Sequence, residues 1–439
     1  MRKNALSVAI TLGGTLALVT AWSATAQVRP PAPPGGGGPT NPMPQPPTQQ
    51  PPTQQPPTQQ PPTQQPPTPA PQLGGPLTGL DTATLAAFNS GRQEFTRVNG
   101  IQDGLGPVFN DRSCVGCHGA GAAGGAGGDL GRTQVFHIGR LLNGVFDPLE
   151  GEGGGQLQRR SLKEIDPACP ILGERVPASA TIVSLRATPA VFGSGLIDAI
   201  PESTILAKSD PNDANRDGIS GRPNRTYNPE SGRTEVGRFG WKGQVSTLHL
   251  FTTGAFQGEL GITTPTFPTE NLPQGRPIPA GWDRVADPEE GGGRVELATQ
   301  FQRYLAPAPA RTLSPAGVRG QSLFTSVGCA ACHTPSMTTG GNDRFLANRQ
   351  APLYSDLLLH DMGDQLDDRT PQGEATGREW RTTPLWGLNA KRNWLHDGRA
   401  TSVDQSIRMH GGEAQGSVTR FQQLSPADRD GLMQFLGSL

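Results

Sequence analysis

Two copies of one five-residue pattern constrain this chain more than any other feature: Cys114-Val115-Gly116-Cys117-His118 and Cys329-Ala330-Ala331-Cys332-His333. A CxxC pair alone could be a disulfide, a redox couple or half of a zinc site. A histidine directly after each pair narrows the choice. Two thiols at this spacing can add to the two vinyl groups of a haem, and the adjacent His then reaches the iron from the proximal side. A zinc centre would need four sulfurs from pairs lying 215 positions apart (329 − 114), and it would leave both histidines unexplained. Each motif therefore reads as a covalent haem c site. The fifth cysteine, Cys169 in Asp166-Pro167-Ala168-Cys169-Pro170, has no partner left and reads as a small buried thiol.

The chain before the first motif divides sharply. Arg2 and Lys3 precede an apolar run from Ala5 to Ala21, and Ala24-Thr25-Ala26 offers small residues for cleavage. Residues 1–26 read as a secretory signal peptide, with the mature chain starting at Gln27 and released to the bacterial periplasm or outside. An uncleaved anchor is the alternative, because the run is nearly long enough to span a bilayer. No later segment is apolar enough to do so. Residues 27–76 hold 20 of the 44 prolines and repeat PPTQQ four times from Pro46 to Gln65. Proline fixes φ and removes N–H donors, so this reads as a disordered linker of polyproline II character. At ~3.1 Å per residue it could reach on the order of 150 Å.

The remaining 363 residues (439 − 76) carry 24 prolines (44 − 20) and suffice for two domains with real cores. A net charge of −1, or −3 once Arg2 and Lys3 are removed, leaves no footprint for nucleic acid or an anionic membrane. Ser314-Pro315 reads as an N-cap and first helical position, opening a helix through Phe324 into the second motif. Thr82 to Arg97 has helical pattern before the first motif, with Leu85, Phe88 and Phe95 on one face. Gly91 and Phe95 precede the first motif as Gly320 and Phe324 precede the second. Ser425-Pro426 starts a closing helix with Leu432, Phe435 and Leu436 as its apolar stripe. The expected fold is mainly α with long loops: two cytochrome c-like haem domains, 77–308 and 309–439, behind the linker.

These residues carry a family resemblance. Two CxxCH motifs with Leu395-His396-Asp397-Gly398-Arg399-Ala400 resemble the bacterial di-haem cytochrome c peroxidases and MauG. The nearer likeness is to the di-haem oxidoreductases described as peroxidases by sequence. It rests on Gly106-Pro107-Val108-Phe109-Asn110, Gly237-Arg238-Phe239-Gly240-Trp241-Lys242 and Gly261-Ile262-Thr263-Thr264-Pro265. Thr383-Pro384-Leu385-Trp386-Gly387-Leu388 and His410-Gly411-Gly412-Glu413-Ala414 complete it. The resemblance implies electron transfer and peroxide reduction, with haem irons held by His118 and His333. At the position where the peroxidases carry a distal Met, fourteen residues past His396, this chain has His410. Val403, Ile407 and His410 follow i, i+4, i+7, so His410 shares an apolar helix face, whereas Met409 projects roughly 100° away. A core histidine satisfied by hydrogen bonds is the other reading.

For the first haem the resemblance offers His137 as a displaceable distal ligand, with His249 a weaker candidate. It makes Glu259 the acid/base for peroxide cleavage with Gln257 beside it, Trp241 the aromatic between the haems, and His396 a residue supporting the C-terminal haem. Asp213, Asn215, Asp217 and the carbonyl of Ile219, with Gly218 at position 6, suit a calcium loop, but Asn224 stands where its bidentate Glu belongs. Turn chemistry explains the same residues. The resemblance implies a small redox protein, a cytochrome or cupredoxin, as electron donor, and peroxide or another oxidisable substrate. A non-catalytic electron carrier and a MauG-like oxygenase remain alternatives. Acidified-solvent extraction of the denatured protein is expected to leave two haems per chain in the protein phase; colour lost to the solvent would refute covalent attachment.

Overall fold

The computed structural model describes residues 72–439; the expected signal peptide and the linker as far as residue 71 lie outside the described residues. Each motif is delivered by one helix and backed by a second that crosses it. The helix Thr82–Thr96 opens on Asp81, whose carboxylate accepts from Thr84 N at 2.8 Å. It packs across Gly293–Tyr304. The helix Pro315–Ser326 opens on Ser314, which accepts from Gly317 N at 3.0 Å, and packs across the closing helix Pro426–Leu436. Proline at the first helical position costs no hydrogen bond in either helix of that second pair.

Glycine sets the distance of both crossings. A Cβ on Gly91 would lie 2.8 Å from Phe301 N, and one on Gly320 would lie 2.8 Å from Leu432 N and against the Gly431 carbonyl. Only a hydrogen fits there. One turn later, Phe95 and Phe324 drop into the gaps so created. Phe95 meets Phe301 at 4.8 Å between ring centroids, and Phe324 meets Phe435 at 5.4 Å. All four rings are buried. Cys169 is fully buried beside Leu105, Val108 and Phe109.

Strands were not expected, yet they matter for the site. They form small antiparallel sheets, the largest of three strands, with Val135–Leu142 between Val145–Asp147 and Ile182–Arg186. A local signal existed: Asn143-Gly144 links the first two, with φ of 51° and 82°, the two left-handed residues of a tight hairpin turn. The register pairs His137 with Ser184, which places His137 on a strand instead of a loop.

The expected boundary at 308 is not a boundary of packing. The largest core cluster joins Phe88, Phe95 and Phe301 to Met337, Leu346, Leu353, Leu358 and Trp386 from beyond it. The described residues belong to one compact unit. None of their helices is long and apolar enough to cross a membrane.

Gly320→Ala is expected to destabilise the fold by about 1–3 kcal/mol or more, the scale of forced overpacking. Gly293→Ala, whose Cβ would meet nothing within 4 Å, serves as the control. Urea denaturation midpoints compare the two, and equal midpoints would refute the close-crossing argument.

Candidate functional site

A deep cavity lies around the second motif. Cys329, Cys332 and His333 line it together with Met362, Trp380, His396 and His410. His333 Nδ1 lies 2.9 Å from the Tyr354 carbonyl, and His410 Nδ1 lies 2.7 Å from the Ser406 carbonyl. A carbonyl only accepts, so each Nδ1 carries the proton and each Nε2 keeps a bare lone pair. That is the tautomer in which imidazoles ligate metals. Burial pushes His333 down to about 4 and also lowers His410, so neither holds a competing proton near neutrality. Two such imidazoles and two CxxC sulfurs lining one cavity fit a haem, with His333 and His410 as the nitrogens that would hold its iron.

The helix Val403–Arg408, capped by Ser402 on Gln405 N at 3.1 Å, orients this wall. Val403, Ser406, Ile407 and His410 line the cavity; Met409 is not among the lining residues, and Met362 is.

The first motif repeats the proximal geometry. His118 Nδ1 lies 2.9 Å from the Pro189 carbonyl, and burial pushes it down to about 4. The Phe95 ring sits 6.1 Å from His118 as the Phe324 ring sits 6.4 Å from His333. Burial pushes the thiols of Cys114 and Cys117 up to about 12 and that of Cys329 up to about 11. Environments of this kind suit neutral sulfur, as in a thioether. Among the described residues, no three Cys or His side chains converge to metal-ligating distance. The residues present thus fit two covalent haems.

Beside the first motif stands a carboxylate with both oxygens engaged. Glu259, at the end of the helix Leu248–Leu260, accepts from Asn110 Nδ2 at 3.0 Å and from Gln156 Nε2 at 2.9 Å. It is half-buried. Burial raises its pKa, and the two amides offset this only in part. Both thiols of the first motif lie within its electrostatic reach.

Gln257 does not join it. Two positions apart on a helix is roughly 200°, so Gln257 turns outward and donates to the Thr269 carbonyl at 2.8 Å. Gln156, from a loop the sequence did not single out, stands on Glu259 instead. The preceding residue, Gly155, accepts from His137 Nδ1 at 2.7 Å, so one loop grips both His137 and Glu259. Burial first, then the neighbouring Arg186 charge, pushes His137 down to about 3. His249 is elsewhere, partly exposed and paired with Glu230 at 2.8 Å.

One segment touches both motifs. The Pro189 carbonyl holds His118, while Ala187, Thr188 and Pro189 line the cavity of the second motif. Trp241, another lining residue, donates Nε1–H to the Ala187 carbonyl at 2.8 Å. His396 stacks on Trp380 at 3.7 Å between ring centroids, and burial pushes it down to about 4. Over the Trp380 ring lies the fully buried Lys242 ammonium, 3.8 Å from the centroid and 3.3 Å from Asp368.

The sequence reading missed His360. Its Nε2 meets Asp356 at 2.9 Å and its Nδ1 meets Glu413 at 2.7 Å, beside Cys332. Burial opposes its charge, but bonds to Asp356, Cys332 and Glu413 prevail and raise its pKa. Only the fold brings Glu413 to it. In the Asp213–Ile219 turn, Asp213 accepts from Gly218 N at 3.2 Å and Asp217 from Ile219 N at 2.9 Å.

Residues 175–439, more than half of the chain, match the family model described as di-haem oxidoreductase, putative peroxidase. No curated protein matches the sequence. Among solved structures, hydrazine synthase from Kuenenia stuttgartiensis is similar at 16% identity and a TM-score of 0.38, covering 83% of this chain and 90% of that one. A MauG-like protein associated with microbial copper homeostasis is similar at 15% identity and TM-score 0.38, covering 86% and 95%. The dihaem peroxidase BthA from Burkholderia thailandensis is similar at 14% identity and TM-score 0.37, covering 81% and 86%.

His410→Met is expected to raise the potential of the C-terminal haem and to introduce a near-infrared sulfur-to-iron band, because a thioether favours reduced iron over an imidazole. His410→Gly should leave that haem high-spin. If the unaltered protein already shows the sulfur band, Met362 is the ligand and His410 is not.

Proposed function

This chain belongs to the di-haem oxidoreductase family, and from that premise we propose an exported c-type di-haem peroxidase. In this reading residues 77–308 and 309–439 each carry one covalently bound haem, although the two share a core. When bound, the haems supply the one-electron chemistry. His118 and His333 would hold the haem irons from their own motifs, and His410 would hold the C-terminal iron from the facing wall.

The observation that carries the reading is the asymmetry between the two sites. The C-terminal cavity is lined by two imidazoles with bare Nε2 atoms, an arrangement for passing electrons without binding a substrate. The N-terminal motif has instead a half-buried carboxyl gripped by two amides. Peroxide cleavage needs a group that takes a proton from one oxygen and returns it to the other. Asn110 and Gln156 each donate to Glu259, so when Glu259 is protonated its O–H has to point to a third acceptor. A bound peroxide would be that acceptor. The raised pKa brings the protonated form toward working pH, where it exchanges protons most effectively.

Electrons pass from the C-terminal site to the N-terminal one along the segment Ala187–Pro189, which borders the first site through His118 and lines the second, with Trp241 against it. His137 is the displaceable distal side chain, and His396, locked on Trp380, steadies the C-terminal wall. A small cytochrome or cupredoxin is the donor and peroxide the acceptor. Glu259→Gln is expected to slow peroxide turnover by about 10²-fold or more, the scale of general acid–base help, with both haem spectra intact. Unchanged turnover would remove Glu259 from the mechanism.

A further inference from the structure

Three donor side chains around the C-terminal cavity have no anion to pair with. Trp394 lines the cavity, and its Nε1 is buried with no hydrogen-bond partner. Lys391, three residues earlier, lines the same cavity and is half-buried; among the described residues its ammonium makes no hydrogen bond or ion pair. Arg381 is 9% exposed and also lines it. Its Nε donates to the Gly240 carbonyl at 2.9 Å and its Nη1 to the Thr382 carbonyl at 3.0 Å, and no salt bridge neutralises it among the described residues. The nearest acid in electrostatic reach, Asp356, is taken by His360 at 2.9 Å.

Such an arrangement is unfavourable as it stands. Buried donors such as the Trp394 N–H are normally paired, and a cation drawn partly out of water without an anion is disfavoured. Here the two cations also repel one another. Burial pushes Lys391 down to about 8, with the Arg381 charge adding to the effect, and pushes Arg381 down to about 10. Two cations and an N–H facing one enclosed space call for an acidic group with several oxygens. A haem brings two carboxylates of its own.

We propose that Lys391, Arg381 and Trp394 hold the propionate carboxylates of the haem attached at Cys329 and Cys332. The proposal rests on the covalent haem reading above and adds an electrostatic role. Each propionate is a negative charge that favours ferric iron, and pairing it with a buried cation removes that bias. The anchors therefore raise the potential of a site that two imidazoles would otherwise hold low.

The test uses the full chain with both haems attached. Lys391→Met should keep two haems per chain after denaturation, lower the midpoint potential of the C-terminal haem in a spectroelectrochemical titration, and leave the N-terminal haem unshifted. Lys391→Arg should restore most of the lost potential. Trp394→Phe should move the propionate bending mode of the C-terminal haem in resonance Raman spectra. Unchanged potential in Lys391→Met, together with an unchanged Raman mode in Trp394→Phe, would overturn the proposal. So would a potential that shifts on adding succinate to the unaltered protein but not to Lys391→Met, since the donors would then belong to a free carboxylate ligand. Fewer than two haems on the unaltered chain would instead sink the haem reading itself.

Discussion

The close approach of two helices through glycine is the constraint on which the other features of this molecule depend. At Gly91 and again at Gly320, the partner backbone lies where a Cβ would have to be. The crossing brings Phe95 and Phe324 within about a ring's width of His118 and His333, so each proximal imidazole rests against an aromatic wall. Replacing either glycine would separate the helices and loosen that wall. Two centres built on the same crossing explain why the chain can carry long, irregular connections elsewhere.

Given that frame, single hydrogen bonds decide what each histidine can do. The carbonyls of Pro189, Tyr354 and Ser406 each take an Nδ1–H from His118, His333 and His410, and this leaves Nε2 bare on His333 and His410. A backbone carbonyl is a dependable orienter because it can only accept. Beyond this shared device the sites diverge. The N-terminal one gains a half-buried acid with two amide donors, and the C-terminal one gains a second imidazole and unpaired cations. A single backbone segment, Ala187–Pro189, contacts both, so the sites are separate in chemistry but not in structure.

Much of this was legible where the cause is local. The Ser314-Pro315 and Ser425-Pro426 starts are capping chemistry that acts within one turn, and both helices begin there. Helical spacing puts Val403, Ile407 and His410 on one face; the helix ends at Arg408, and His410 lines the same cavity from the turn just beyond it. The Asn143-Gly144 hairpin was equally local but went unread, and with it the strand that carries His137. Gln257 was a different kind of miss. Its adjacency to Glu259 in sequence becomes opposition on a helix, while Gln156 reaches Glu259 from 103 residues away.

The sequence by itself determined the two CxxCH motifs and the glycine–phenylalanine helices that present them, because each depends on residues within a turn or two of one another. Only the tertiary structure decided which carboxylate is gripped by Gln156, that His360 lies between Asp356 and Glu413, and that Lys391, Arg381 and Trp394 share one cavity without an anion. Those contacts join segments tens to hundreds of residues apart. Their energies come from burial, which turns an ordinary surface charge into one that must find a partner, and burial is a property of the whole fold.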